Sequence, residues 1–588
     1  MKTLICMNRF LWITMMVIGL FGCSDENTEE LIDSYAKFED GIVSVPYLSG
    51  KLTATLVWAN TQWEIVVEEN QGWVTDISLI HGGDSWAGEE MTEVVFTYTG
   101  NMTEERRKQE FYVVNLSTQE KTKFTIIQGV NITDVIQLTP SDKYQTVEGI
   151  GGGIANYEGW YCRHPNKEEL FDLVFNDLEV SMIRIGNWYE KVVSNTDPEL
   201  LNQQKEIIDA ANRRLGSSNF SIMMSNWLVT PGLVGKPGEK GATLRRDRDG
   251  RYMYKEFGEW CRMTLKAYQD AGIVPDYLSM MNEPDGENGA GTKICLGYGT
   301  DDSKKANYGR ALEATYEALK GMPSRPKLIG PEVLGIGYGN FNNYYKDLNS
   351  DLLDAAAFHC YHGGDTSDFK DNDRYSSAHA FKSEFQGLAR QVGDKSIMMT
   401  ENCSYHPTVP EDAVNIAHFI SNSFRYANAT TYLHWSLLWG YANAEDLQKG
   451  GDGCIAVEWP WSSSRWTTEK GYVIRSEFYG LKHFTKHVKP GWRRIRVEYT
   501  IGEVEAVAFQ DPTGCQVTVV LVNYSDENTK AVRLRNMGDK EVSSISKVIQ
   551  TNPQKGIWYQ EQENVEPFVK LQLPEMSVTT VCFKFKAN

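Results

Sequence analysis

The sequence has no C-x-x-C pair and no Cys/His cluster at zinc spacing, which removes the ordinary grounds for a structural metal site. It has no G-x-S-x-G elbow, so a Ser/His/Asp hydrolase is excluded as well. The glycine-rich run Gly149-Ile150-Gly151-Gly152-Gly153 is followed by no helix with a suitably placed acidic residue. It reads as a strand-end turn, not as a phosphate or dinucleotide loop. The apolar run from Phe10 to Phe21 falls well short of the roughly 20 residues that a helix needs to cross a bilayer. Positive charge is scarce: 59 Lys and Arg face 78 Asp and Glu, a formal charge of −19, and no basic cluster stands out. Nucleic acid is therefore not expected as a partner, and a neutral polymer fits better.

Aromatic residues are plentiful, with 16 Trp, 29 Tyr and 23 Phe. Such rings suit stacking on sugar faces, although a large core also consumes them. Besides Cys6 and Cys23 there are eight scattered cysteines, Cys162, Cys261, Cys295, Cys360, Cys403, Cys454, Cys515 and Cys582. A domain of this size does not need disulfides, so mostly buried thiols are expected. Lys2 and Arg9, then the apolar run, then Gly22-Cys23 form the pattern of an export signal. Leu20-Phe21-Gly22-Cys23 resembles a bacterial lipobox, which implies an acylated Cys23 as the mature N-terminus and a membrane attachment through it. Ser24-Asp25-Glu26 is similar to the acidic signal that sends some lipoproteins to the cell surface, so an outer-membrane, surface-exposed protein is the expectation.

Residues 24–37 read as a linker. From 38 to 130, short alternating runs such as LTATLVW, WEIVVE and EVVFTYTG are separated by Asn, Gly, Asp and Thr clusters, as in a β-sandwich. Trp63-Glu64-Ile65, Gly72-Trp73 and Thr125-Ile126-Ile127-Gln128-Gly129 make this part resemble a BACON-type domain, which implies either a carbohydrate or mucin binder or a plain spacer. Between 149 and 489 strand-like runs alternate with helical stretches, an argument for parallel β/α units and, at this length, for a (β/α)8 TIM barrel. Past 490 the strand alternation returns, a C-terminal β-sandwich to which residues 131–148 contribute a strand. The fold class is thus multidomain: a small all-β immunoglobulin-like domain, a barrel and a side β-sandwich.

Barrel enzymes keep their chemistry at the C-terminal ends of strands. Two carboxylates follow apolar strand runs there: Glu283, after Tyr277-Leu278-Ser279-Met280-Met281-Asn282, and Glu401, after Ser396-Ile397-Met398-Met399-Thr400. Positions 283 and 401 are 118 apart, room for roughly three β/α units, which assigns them to strands four and seven. Retaining hydrolysis of a glycosidic bond needs one carboxylic acid and one nucleophilic carboxylate about 5 Å apart. Such a pair, distant in sequence and adjacent in the barrel, suits that chemistry.

Here the chain resembles clan A glycoside hydrolases, and among them glycoside hydrolase family 30, nearest to its xylanase branch. The likeness rests on Gln145-Thr146-Val147-Glu148-Gly149-Ile150-Gly151-Gly152-Gly153, Met182-Ile183-Arg184-Ile185-Gly186, Ser225-Asn226-Trp227, Met281-Asn282-Glu283-Pro284-Asp285, Met399-Thr400-Glu401 and Tyr479 to Gly491. It implies Glu283 as acid/base and Glu401 as nucleophile, with Asn282 donating to the sugar 2-hydroxyl. Arg184 would hold Glu401 ionised, or form a purely structural ion pair, and Tyr361 would hydrogen-bond the nucleophile with His359 beside it. Trp160, Trp188, Trp227, Trp435 and Trp439 are candidate sugar platforms, some of them simply packing. The loop Ser225-Asn226-Trp227-Leu228-Val229-Thr230-Pro231 departs from the Ser-Pro-Pro-x-Trp pattern of the family. An endo-β-1,4-xylanase on (glucurono)xylan is the first choice, a β-1,6-glucanase or exo-glycosidase the second, and an inactive glycan-binding lipoprotein the rival of another class. A monomer without metal or organic cofactor is expected, with Glu283 protonated while Glu401 is ionised.

Overall fold

The computed structural model describes residues 33–585 apart from 102–105, 130–133, 288–290, 300–303, 337–339, 362–380, 404–409, 442–452, 537–541 and 566–569. The export leader, Cys23 and residues 24–32 of the expected linker lie outside the described residues, and Tyr35–Phe38, where the linker was expected to end, is already a strand of the first unit. Two compact units divide the chain, Met1–Ile132 and Thr133–Asn588.

The first unit is all β. Its long strand Gly50–Val66 pairs antiparallel with His81–Tyr98, and Thr61, Trp63 and Ile65 turn inward while Gln62 and Glu64 face solvent. That alternation with a period of two is the reason the segment is a half-buried strand. The inner face closes over Phe38, Phe96, Phe111 and Phe124, with the Phe38 and Phe124 rings 4.2 Å apart.

The second unit is built on a closed barrel of parallel strands: β1 (Gly149–Gly153), β2 (Met182–Asn187), β3 (Ser221–Asn226), β4 (Tyr277–Ser279), β5 (Lys327–Val333), β6 (Ala355–His359), β7 (Ser396–Glu401) and β8 (Ala429–His434). β8 returns to pair with β1 and closes it. The strands are almost wholly buried, because helices cover one face and barrel side chains fill the other. The helix Tyr254–Asp270 shows the covering face: Phe257, Trp260, Cys261, Thr264, Leu265 and Tyr268 recur at helical spacing and are buried. Inside the barrel, Met182, Met223 and Met398 meet the small Ala355 and Ala357, large against small, so the lumen is packed.

The run 149–153 is not a strand-end turn. It is β1 itself, and its lack of side chains lets β2 approach: a Cβ on Gly151 would lie 1.9 Å from the carbonyl oxygen of Met182. The segment Val135–Thr146 joins a nine-stranded sheet, lying between Arg493–Glu498 and Lys530–Asn536. Helix Asp412–Tyr426 of the barrel docks on that sheet, with Phe424 edge-on to Phe509 at 5.2 Å and Arg425 donating to Glu505 at 2.7 Å. All eight cysteines from Cys162 onward are free thiols, five of them buried.

Candidate active site

Strand periodicity selects what enters the mouth of the barrel. On β2, Ile183 and Ile185 face the helix layer while Met182 and Arg184 point inward, so the alternation of one strand places a guanidinium at the centre. Around it converge Ser225 from β3, Asn282 and Glu283 just past β4, Glu332 from β5, His359 ending β6, Tyr361 beyond it and Glu401 ending β7. Arg184 is fully buried. Its Nη1 donates to Glu401 Oε2 at 2.5 Å and its Nη2 to Asn282 Oδ1 at 2.5 Å. Its Nε donates to Glu332 Oε1 at 3.1 Å and to Ser225 Oγ at 3.2 Å. Tyr361 donates its hydroxyl to the other oxygen of Glu401, Oε1, at 2.8 Å. His359 Nδ1 is 3.1 Å from Glu283 Oε1, and its Nε2 is 3.4 Å from Glu332 Oε1 and 3.7 Å from Glu401 Oε2. The six polar residues proposed from sequence therefore meet in one cluster.

Glu332 was missed by the sequence reading, yet it carries the same signature as its neighbours. The apolar run Leu328-Ile329-Gly330-Pro331 ends in a carboxylate that is wholly buried. Lys293, in the loop after β4, was missed as well: it is 7% exposed and its ammonium stands 3.7 Å from Glu283 Oε2. Nothing in its local sequence marks it, because only the loop's fold brings it to the acid. Two of the three carboxylates sit on left-handed backbone, Glu283 at φ 47° and Glu332 at φ 57°. Non-glycine residues there cost of order 1–3 kcal/mol and persist where surrounding contacts over-determine them.

Burial pushes the Glu332 carboxyl up, but the charge of Arg184 and hydrogen bonds from His359 and Ser279 outweigh it and hold it at about 2. Burial pushes His359 down, and Glu401, Glu283 and Glu332 together reverse that and raise it to about 9. Arg184 Nη2 stands 3.4 Å from His359 Nε2 and opposes the charge, but one cation is outnumbered by three carboxylates. Glu283 moves the other way: burial raises it, while His359, Lys293 and Arg184 lower it below the usual carboxylate value. The raised His359 and the lowered Glu283 stand one hydrogen bond apart, and the two directions together favour the shared proton on the imidazole side.

The aromatic candidates separate. Trp227 lies on the Arg184 guanidinium at 4.3 Å, and Trp435 follows at 5.8 Å, the two rings 6.1 Å apart. Both are partly exposed, and both stand over the guanidinium that holds Glu401. Trp188 is not a platform: it is 2% exposed, with its indole N–H held by Glu158 Oε1 at 2.7 Å, and it is buried as packing. Trp160 and Trp439 line a second aromatic group. Trp439, on the three-stranded sheet Leu438–Tyr441, Ile455–Glu458 and Tyr472–Ile474, contacts Tyr157 at 5.0 Å, and Trp160 in the helix Glu158–Cys162 contacts Trp461, in the turn after Glu458, at 5.1 Å. Glu283, His359 and Glu401 present ligand atoms within 4.8 Å of one another, a spacing a cation would accept. Arg184, Tyr361 and Lys293 already occupy those donors with hydrogen bonds and charge.

The sequence matches no family model and no curated protein. Its fold is similar to that of a glycoside hydrolase family 30 subfamily 8 xylanase from Clostridium acetobutylicum, at 16% identity and a TM-score of 0.54 over 76% of this chain and 99% of that one. It is also similar to an endo-β1,6-glucanase, at 17% identity and a TM-score of 0.53 over 79% and 97% of the two chains. An α-L-arabinofuranosidase from Thermotoga maritima shares it at 13% identity and a TM-score of 0.51, over 77% and 100%. At these identities the likeness establishes the fold: a TIM barrel with additional β-sheet, the class expected from the sequence.

Proposed function

We propose that this protein is a retaining glycoside hydrolase in which Glu283 is the acid/base and Glu401 the nucleophile. One observation carries the reading: a carboxylate oxygen of Glu283 lies within 4.8 Å of one of Glu401 at the mouth of the barrel. That separation suits a covalent glycosyl intermediate, whereas inversion needs roughly 6.5–9.5 Å to admit a water between the carboxyls. Glu283 takes the proton from His359 Nδ1 and passes it to the leaving oxygen as Glu401 bonds to the anomeric carbon. Water then attacks that carbon, Glu283 removes its proton, and Glu401 is released as carboxylate. Asn282 has its amide oxygen occupied by Arg184, which leaves its NH2 to donate to the sugar 2-hydroxyl.

The substrate we favour is xylan, cleaved internally, with β-1,6-glucan or exo-cleavage as the alternatives. The similar folds include a xylanase, a β1,6-glucanase and an arabinofuranosidase, so barrel and cluster together do not select the sugar. We further propose attachment to the outer membrane through Cys23, with the first unit as spacer or glycan binder. Product analysis of the mature protein on glucuronoxylan, arabinoxylan, β-1,6-glucan and mixed-linkage glucan tests the function. Oligosaccharides released from xylan and absent with Glu283→Gln are expected. Release from β-1,6-glucan alone would change the substrate, and silence on every polymer would favour the glycan-binding reading. For the nucleophile, Glu401→Gly is expected to lose hydrolysis and, with azide, to form a glycosyl azide of inverted configuration; no such product would remove Glu401 from that role.

A further inference from the structure

In a retaining reaction the carboxyl that acts as acid in the first step must act as base in the second. Glu283 is flanked by His359, whose Nδ1 is 3.1 Å from Oε1, and by the Lys293 ammonium, 3.7 Å from Oε2. Arg184 bears on it by charge, but its hydrogen bonds go to Glu401, Asn282, Glu332 and Ser225. Lys293 is 7% exposed, and among the described residues Glu283 is its one ion-pair partner. An apolar side chain of similar length would fill the same space without the loss of hydration that a buried ammonium suffers, so packing alone does not account for it.

The loop around Lys293 is tied on both sides. Val229 N–H donates to the Thr292 carbonyl at 3.2 Å and Cys295 N–H to that of Ala242 at 2.6 Å, while Leu296 N–H reaches the carbonyl of Pro284, next to the acid, at 2.9 Å. A missing side chain makes room for the ammonium: a Cβ on Gly286 would stand 3.0 Å from Lys293 Nζ and 3.4 Å from Glu283 Cβ. Charges around Glu283 change as the reaction proceeds. The proton drawn from His359 departs with the leaving group, and esterification of Glu401 removes a negative charge that, against burial, helps keep the imidazole protonated. Lys293 is then the neighbouring cation that the first step does not discharge.

We propose, resting on the glycosidase reading above, that Lys293 is a positioning residue for the second step: its ammonium keeps Glu283 a carboxylate in the glycosyl-enzyme, ready to receive the proton of the attacking water. In that step the water oxygen bonds to the anomeric carbon, and the bond from that carbon to Glu401 breaks with its electron pair returning to the carboxylate. The water's proton passes to Glu283. The other charged groups that face Glu283 are His359 from β6, Arg184 from β2 and Glu401 from β7, with Asp285 in its own segment held by Leu334 N–H and the Asn340 amide.

The test compares the full chain as wild type, Lys293→Met, Lys293→Arg and Gly286→Ala on dinitrophenyl β-xylobioside and dinitrophenyl β-gentiobioside, with melting temperatures recorded to exclude misfolding. Dinitrophenolate departs without a proton, so the second step limits hydrolysis of these probes. Lys293→Met is expected to lower kcat on the acidic side by up to roughly 100-fold, and KM with it, while kcat/KM stays near wild type. The acidic limb of kcat should move to higher pH, because a carboxylate that has lost its cation takes up a proton more readily. Lys293→Arg should restore the limb, and Gly286→Ala, which displaces the ammonium without removing it, should shift it the same way by less. Infrared pH-difference spectra of the free proteins, in which the carboxyl band absent from Glu283→Gln belongs to Glu283, should give the same order of midpoints. A midpoint that stays in place in Lys293→Met overturns the proposal, as does a fall of kcat and kcat/KM together with the limb unmoved. Silence of the wild type on both glycosides would count against the glycosidase reading, while the infrared midpoint still judges Lys293.

Discussion

His359 stands among three carboxylates and within hydrogen-bond reach of Glu283, which ties the pH dependence of the proposed acid to an imidazole. In the wild type the imidazole proton leaves as pH passes the raised His359 value of about 9, so the alkaline limb of kcat/KM is expected there. With His359→Gln the proton has to reside on Glu283, which Lys293 and Arg184 hold down, and the limb is expected to move to lower pH. A limb that stays in place would separate His359 from the acid. Glu332 makes no such exchange. Its pairing with Arg184 is wholly buried, and Glu332→Gln leaves that guanidinium short of one counter-charge at an expected cost of about 3–5 kcal/mol in urea unfolding. Glu283 and Glu401 were legible in the sequence because an apolar run ending in a carboxylate is the local mark of a barrel strand meeting solvent. Glu332 bears that mark too, but Pro331 inside the run disguised the strand, and only the closed barrel shows its partner. Trp188 failed for the reverse reason: the residue after a strand can turn into the core as readily as into the cleft.

Among the elements, β1 gains its position from what its residues lack. Gly151→Ala would drive a methyl group into the backbone of β2, where no side chain can yield, and is expected to destabilise the barrel by about 3 kcal/mol or to prevent folding. An unfolding midpoint close to wild type would mean that β1 and β2 tolerate a wider spacing. The alternation of apolar strand and amphipathic helix was readable because burial imposes a period on each. The loops have no such period. The ladder between Leu296–Gly297 and Ala306–Asn307, and the three-stranded sheet beyond β8, are pairings that each loop makes within itself.

At the scale of the molecule, each unit has its own core: an aromatic one in the first, and in the second a core that runs from the barrel helices into Val507, Phe509, Val520 and Val578 of the nine-stranded sheet. Calorimetry is expected to resolve two transitions, with Glu332→Gln lowering one of them only; a single transition shifted as a whole would contradict the division. Truncation after Lys489 removes strands that pair with Val135–Thr146 and cover helix Asp412–Tyr426, and an insoluble product is expected, where a soluble monomer would show that the barrel folds unaided. The sequence by itself determined the fold class and the two central carboxylates, because hydrophobic periodicity and strand-end position are local consequences of burial. Tertiary structure alone decided which charges meet. The hydrogen bond between His359 and Glu283, the buried Glu332 and the Lys293 ammonium beside Glu283 arise from residues brought together by the fold, and their energies depend on distances below 4 Å that no local pattern encodes.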